Sequence, residues 1–200
     1  MKHFLIIFCF LTHIALIAQE EEELFSIINL DATKEIKLLP NKMIFTQRAI
    51  WGKKGLTRIT RLVPLTIENR QKELKMRRIM LKSHQIIGFL TFAGMIAQGV
   101  LGGKLYNGDN SFYKTHKNLG KAVSISYFSG AGLSLFSPPP LLNKKTKKLN
   151  SIKIHKILAS IHLTSMIATN ILSKKNKKLH RLAAYTAFGS FTAAMIVFKF

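Results

Sequence analysis

The sequence predicts an all-α protein: a membrane-embedded, antiparallel four-helix bundle with a short basic extramembrane region at its N-terminal end. Three observations predict it. Apolar residues make up 48% of the 200-residue chain while the formal net charge is +22. Those values coexist because uncharged runs alternate with Lys/Arg clusters, the arrangement of membrane spans and their flanks. A soluble nucleic-acid binder would mix its basic residues into the core period, so the sequence argues against nucleic acid and for the lipid bilayer as partner. Next, four apolar runs of near-spanning length follow one another at 79–102, 113–136, 152–172 and 179–198. Finally, each run opens on a histidine with a small residue four positions later: His84 and Gly88, His116 and Gly120, His155 and Ala159, His180 and Ala184.

Taken in order, residues 1–19 read as a secretory signal peptide, with Lys2 as the n-region, an apolar h-region and Ala18 before the acidic run 20–23. The single cysteine, Cys9, lies in that segment. A mature chain without it has no disulfide, no Cys-ligated iron–sulfur cluster and no Cys-x-x-Cys-His haem attachment. Haem held by histidines alone stays open.

Residues 20–80 form the extramembrane region. Positions 41–61, around Trp51-Gly52-Lys53-Lys54-Gly55, are basic with single aromatics. They read as a membrane-surface segment with Trp51 at the headgroup level, with docking of a protein partner through residues 40–80 as the alternative. Thr66 is the expected N-cap of a polar helix leading into the first span.

The bundle proper is expected over 81–200. Span one is rich in glycine and span two in serine and glycine, as close helix packing requires. Ser137-Pro138-Pro139-Pro140 stops span two. Lysine-rich loops at 143–148 and 174–178 flank span three. A cleaved signal places the mature termini outside the cytoplasm of a multi-pass protein in a bacterial-type inner (plasma) membrane, although the Lys/Arg distribution leans mildly the other way.

Consecutive spans alternate in direction. His84 and His155 therefore approach one membrane face, and His116 and His180 the other. Two His/His pairs at matched depths are the constellation for two bis-histidine haems stacked across the membrane, a ligation suited to electron transfer. The small residues Gly88, Gly120, Ala159 and Ala184 leave room for a porphyrin plane. Lys117, Lys156 and Arg181 directly follow three of the histidines and are placed to meet propionates. Taken singly, an interfacial His is ordinarily a polar rim residue and a nearby Lys ordinarily snorkels; four sites in complementary pairs argue otherwise. His162 lies two turns from His155 on nearly the same face. It is either a substitute ligand or a hydrogen-bonding group between helices, and His155 matches His84 better in depth.

On these histidines, with His116-x-x-x-Gly120 and His180-Arg181, the block 84–200 resembles the cytochrome b561 and ferric-reductase-like transmembrane family. The resemblance implies a four-helix core that binds two b-type haems (haem b) through paired histidines and carries electrons across the membrane. It carries over haem ligation and no substrate-binding residue. The further spans and flavin domains of many members, and residues 40–80, have no matching part.

The expected function is therefore a membrane-bound di-haem b-type cytochrome. Its electron donor and acceptor are unassigned, and no catalytic residue marks a reductase activity. The alternative is a non-catalytic membrane scaffold or assembly subunit of the same fold, with structural histidines. A transporter using His162 as a relay is disfavoured by the lack of carboxylates in the spans.

Overall fold

The computed structural model describes residues 37–141 and 150–199, with side chains through 197. The signal segment 1–19, the acidic run 20–23 and the lysine loop 143–148 lie outside the described residues. Two compact units divide the chain, Met1–Leu38 and Leu39–Phe200, and every element described lies in the second.

All regular structure among the described residues is helical. Two short helices, α1 (Phe45–Trp51) and α2 (Leu56–Ile59), precede four long ones: α3 (Ile67–Tyr106), α4 (Tyr113–Leu135), α5 (Ser151–Leu172) and α6 (Lys177–Lys199). A 3₁₀ turn, Asn110–Phe112, joins α3 to α4. Thr66 caps α3 as expected, accepting from the Asn69 N–H at 3.3 Å, and Asn150 caps α5 through the Lys153 N–H at 3.0 Å. The polar helix expected before span one is not a separate element. No glycine or proline falls between Ile67 and Ile87 to break the pattern, so one 40-residue helix runs through both. At ~1.5 Å per residue it is about 60 Å long, roughly twice the hydrocarbon thickness of a bilayer.

Among the described residues, α3 alone is both long and apolar enough to cross a membrane. Helices α4, α5 and α6 have 23, 22 and 23 residues, which suffices in length. Their serines, histidines and N-terminal lysines lower the mean hydropathy.

The long helices pack as two hairpins, α3 with α4 and α5 with α6, and α3 also touches α6. Phe92 of α3 stacks on Phe188 of α6, with ring centres 5.5 Å apart and planes 2° from parallel. Tyr127 of α4 is bonded to His162 of α5 at 2.5 Å, and Ser124 of α4 donates to Asn170 of α5 at 2.9 Å. Neighbours around the bundle therefore run α3, α4, α5, α6 and back to α3, which leaves α3/α5 and α4/α6 as the two diagonals. Met95, Val123, Tyr127, Met166 and Ala187 form the buried core. Polar groups such as Thr91, bonded to Ser126 at 2.7 Å, face inward, whereas Leu90, Val100, Ile125, Ile157 and Ile171 face out.

The two hairpins share a partial pattern. At one constant offset, His84, Met95-Ile96-Ala97 and Leu101 of α3 fall on His155, Met166-Ile167-Ala168 and Leu172 of α5. At a second offset, His116, Val123, Ser126 and Gly130 of α4 fall on His180, Ala187, Ser190 and Ala194 of α6. The buried methionines Met95 and Met166 correspond, as do buried Val123 and Ala187.

Residues 45–66 are not an isolated surface segment. They form a cap folded back on the end of α4, whose last carbonyls need donors. Thr46 Oγ1 donates to the Leu135 carbonyl at 2.5 Å, and the Trp51 indole N–H to the Phe136 carbonyl at 2.9 Å. Arg70 reaches the Pro139 carbonyl at 3.1 Å and Arg77 the Pro138 carbonyl at 2.8 Å. Below the cap, Glu73 lies between Arg58, at 2.6 Å, and Arg70. Arg70 and Glu73 are each 2% exposed. Removing the shared anion leaves two guanidiniums facing each other away from water. The substitution Glu73→Leu is expected to destabilise the fold by about 3 kcal/mol, read as a lowered thermal midpoint of the purified protein beside an Arg61→Ala control at the exposed edge of the cap.

Candidate functional site

The four histidines that open the apolar runs, three in the first turns of α4, α5 and α6 and His84 midway along α3, occupy the two diagonals. His84 and His155 lie on α3 and α5, with His162 as a third imidazole within electrostatic reach of both. His116 and His180 lie on α4 and α6 at the opposite end, with ring centres 6.3 Å apart and planes at 84°. An ion bound by one nitrogen from each of two imidazoles, through metal–nitrogen bonds of about 2 Å, sets the ring centres about 6 Å apart. The His116–His180 spacing suits such bridging, and the ring planes are free to be perpendicular about that axis.

The second nitrogens decide how the rings are presented. His84 Nδ1 is bonded to the Gly130 carbonyl at 2.8 Å, His155 Nδ1 to the Ala194 carbonyl at 3.2 Å, and His180 Nδ1 to the Thr169 carbonyl at 2.8 Å. A carbonyl only accepts, so each Nδ1 carries its proton and donates. That fixes the tautomer in which Nε2 is the unprotonated nitrogen, the form a metal ligand needs. Gly130 and Ala194 are equivalent positions of the two hairpins, so the same latch occurs twice. The fourth histidine follows the same plan more loosely. His116 Nδ1 makes no short bond, but the backbone of Gln98, the counterpart of Thr169, is its hydrogen-bond partner, and Gln98 in turn donates its Nε2–H to the backbone carbonyl of His116 at 2.8 Å.

His162 is not presented in this way. Its Nδ1 accepts from or donates to the Tyr127 hydroxyl across α4 and α5, and its ring packs at 5.1 Å from Phe191. Of the two roles open in the sequence, this geometry is that of a hydrogen bond between helices. Its counterpart in the first hairpin is Thr91, so the histidine is an addition to the repeated design.

The small residues at the fourth position do different jobs. A Cβ at Gly88 would meet nothing within 4 Å, whereas one at Gly120 would stand 2.7 Å from Gln98 Nε2. Gly120 thus makes room for the Gln98 amide and not for an open face. Ala159 and Ala184 are half-buried. Lys117 and Lys156 are exposed, and the Arg181 guanidinium lies over the Tyr106 ring at 3.8 Å, a cation–π contact. Among the described residues, no group of three or more His, Cys, Asp or Glu side chains gathers to hold a metal ion by protein ligands alone. Gln98 was not apparent from the sequence; its match in offset to Thr169 was the available signal.

Comparison with protein-family profiles, with curated proteins and with solved structures finds no match. Any functional reading rests on the geometry above.

Gly120→Ala is expected to destabilise the fold by roughly 1–3 kcal/mol, because the amide of Gln98 must leave its place. Gly88→Ala is expected to be neutral or stabilising by up to about 1 kcal/mol, since it adds helix propensity in open space. Thermal unfolding of the two variants side by side in detergent, without added cofactor, checks the contrast.

Proposed function

We propose that this protein is a multi-pass membrane cytochrome that holds two b haems on the diagonals of a four-helix bundle and carries electrons between the faces of the membrane. The observation that carries the reading is the pairing itself. Four histidines from four helices form two diagonal pairs at opposite ends, and three present Nε2 through the same Nδ1 latch. His84 and His155 hold one haem in this reading, and His116 and His180 the other.

When bound, haem supplies the one-electron step. The chain's part is to hold and orient. The carbonyls of Gly130, Ala194 and Thr169 lock three rings in rotation and tautomer. The open face at Gly88 admits a flat ligand. The aromatic cluster of Phe92, Phe188, Phe191 and Tyr127 fills the space between the two ends and excludes water. Arg181 and the neighbouring lysines offer positive charge near one end.

Membrane spanning by all four long helices belongs to this proposal. It is supported by the outward-facing isoleucines and leucines joined to inward-facing Ser, Thr, Gln and His, which inverts the pattern of a water-soluble bundle. The cleaved signal, the bacterial-type inner membrane and both mature termini outside the cytoplasm are proposed with it. A reporter fused after Phe200 is expected to be active outside the cytoplasm and silent inside; the reverse would turn the topology over.

A scaffold reading is favoured by one fact only: a histidine latched to a carbonyl also serves as a helix fastener. A reduced-minus-oxidised spectrum of the detergent-purified full chain, with haem counted per molecule, separates the two. The cytochrome shows a b-type spectrum and about two haems. It loses about one in His116→Ala/His180→Ala and about one in His84→Ala/His155→Ala. A well-folded, haem-free protein from haem-sufficient cells leaves the scaffold.

A further inference from the structure

We propose that the cap over the end of α4 is an interfacial anchor, whose outer surface lies in the headgroup layer of the membrane and recognises anionic phospholipid. The inference rests on one part of the reading above, that the long helices span the bilayer. It does not depend on haem.

The cap's depth follows from its attachments. It is bound to the Leu135 and Phe136 carbonyls at the end of α4 and to Glu73 of α3 through Arg58. The apolar run of α3 begins at Ile79, so Glu73 stands about 9 Å beyond its start at the rise of an α-helix. The polar layer on each side of a bilayer is roughly 5–8 Å deep. The cap therefore stands at the level of the headgroups.

Its outer surface carries the two features such a layer selects. Leu62, Phe45 and Ile59 are 77%, 75% and 71% exposed, the most of any large apolar side chains among the described residues. Leu56, also exposed, lies three residues before Ile59 and on the same side of α2. Facing water, these side chains contribute nothing to the fold. In an interface they enter the boundary with the acyl chains. Around them Arg48, Lys53, Lys54 and Arg61 are exposed. Arg48 follows Phe45 by three positions on α1, so a cation and an apolar side chain share one side of that helix. No Asp or Glu occurs from 39 to 67, so no carboxylate of the cap itself offsets this charge. Arg58 is turned inward to Glu73.

Arg61 supplies an independent sign. Its φ is 56°, the left-handed region, just after the end of α2, where glycine is the ordinary residue. A cation stands there against the preference of the backbone. Anionic headgroups answer the charge, and the acyl boundary answers the apolar side chains. An acidic protein would offer similar chemistry only by displacing the lipid that already lies at this depth.

A nitroxide on Thr60→Cys, between Ile59 and Arg61, reports on this surface; Cys9→Ala removes the chain's one native thiol. The labelled full chain is placed in nanodiscs of phosphatidylcholine, alone or with an equal part of phosphatidylglycerol. Collision of the label with an uncharged, water-soluble nickel chelate is then measured. Phosphatidylglycerol is expected to lower the collision rate about twofold or more. Lys53→Gln/Lys54→Gln/Arg61→Gln and Phe45→Ser/Ile59→Ser/Leu62→Ser are each expected to abolish that fall. Lys174→Gln/Lys175→Gln/Lys177→Gln, at the opposite end of the bundle, is expected to keep it. All these side chains except the partly sequestered thiol are exposed, and thermal midpoints in neutral detergent check that the variants are folded. Should a variant be unstable, molar salt on the unsubstituted cap replaces it and must remove the fall by screening. A label equally shielded in both lipids, or equally open to water in both, would overturn the inference; the second result leaves the surface to a protein partner. So would a fall that persists in the glutamine variant of the cap or in molar salt. A chain that alkaline carbonate strips from membranes defeats the spanning reading, and the inference with it, before any label is read.

Discussion

The hydrogen bond from a histidine Nδ1 to a backbone carbonyl on the neighbouring helix is the constraint on which the bundle's arrangement depends. It fixes ring rotation, tautomer and the height of one helix against the other. Small residues, Gly130 and Ala194, stand at the two equivalent places, while Thr169 offers its carbonyl to His180 in the same way. A Cβ at Gly130 would already approach Ile87 Cγ2 to 3.2 Å. Once these bonds set the register within each hairpin, the stacked Phe92 and Phe188 and the Tyr127–His162 bond join the hairpins into a ring of four. The diagonals then follow from geometry.

A second requirement shapes the end of the bundle where α4 stops. Helix α4 stops at a proline run, and prolines have no N–H to return to its last carbonyls. The donors come from far away in sequence: Thr46, Trp51, Arg70 and Arg77. Arg70 and Arg77 serve carbonyls of the proline run itself, and the buried Arg70 needs an anion, which Glu73 provides to it and to Arg58. The basic character of residues 40–80 is thus partly a structural response to the end of α4. On α3 the exposed pair Lys72–Glu68, at 2.7 Å, lowers the Glu68 carboxyl below its usual range through the lysine's hydrogen bond and charge. Being fully in solvent, that pair adds little to the fold.

Features encoded by nearby residues were legible in the sequence. The Thr66 cap, the proline stop after α4, the helical runs and the helical placement of the histidines all depend on neighbours within a turn or two. The cap was not, because its contacts join residues that lie far apart in the chain. Nor were the Nδ1 partners, since a backbone carbonyl has no side chain to reveal it. The small residues at the fourth positions look alike in sequence, yet Gly88 borders open space and Gly120 borders the Gln98 amide. That distinction needs the neighbouring helix. The repeat was there to be read: Met95-Ile96-Ala97 and Met166-Ile167-Ala168 lie at equal distances from His84 and His155. Reading one hairpin against the other sets Gln98 against Thr169 and Thr91 against His162, two of the many positions where they differ.

The chain has one tryptophan, and its indole N–H is bound to the carbonyl just past the end of α4. Indole emission responds to hydrogen bonding and to water near the ring. The molecule therefore carries an intrinsic optical gauge of how firmly the capped end of α4 is closed. Trp51 is held at the end of the same helix whose Gly130 carbonyl holds His84, so a displacement of that helix at the histidine changes the surroundings of the one fluorophore. Events deep in the bundle can be followed by light emitted from its rim, with no label attached.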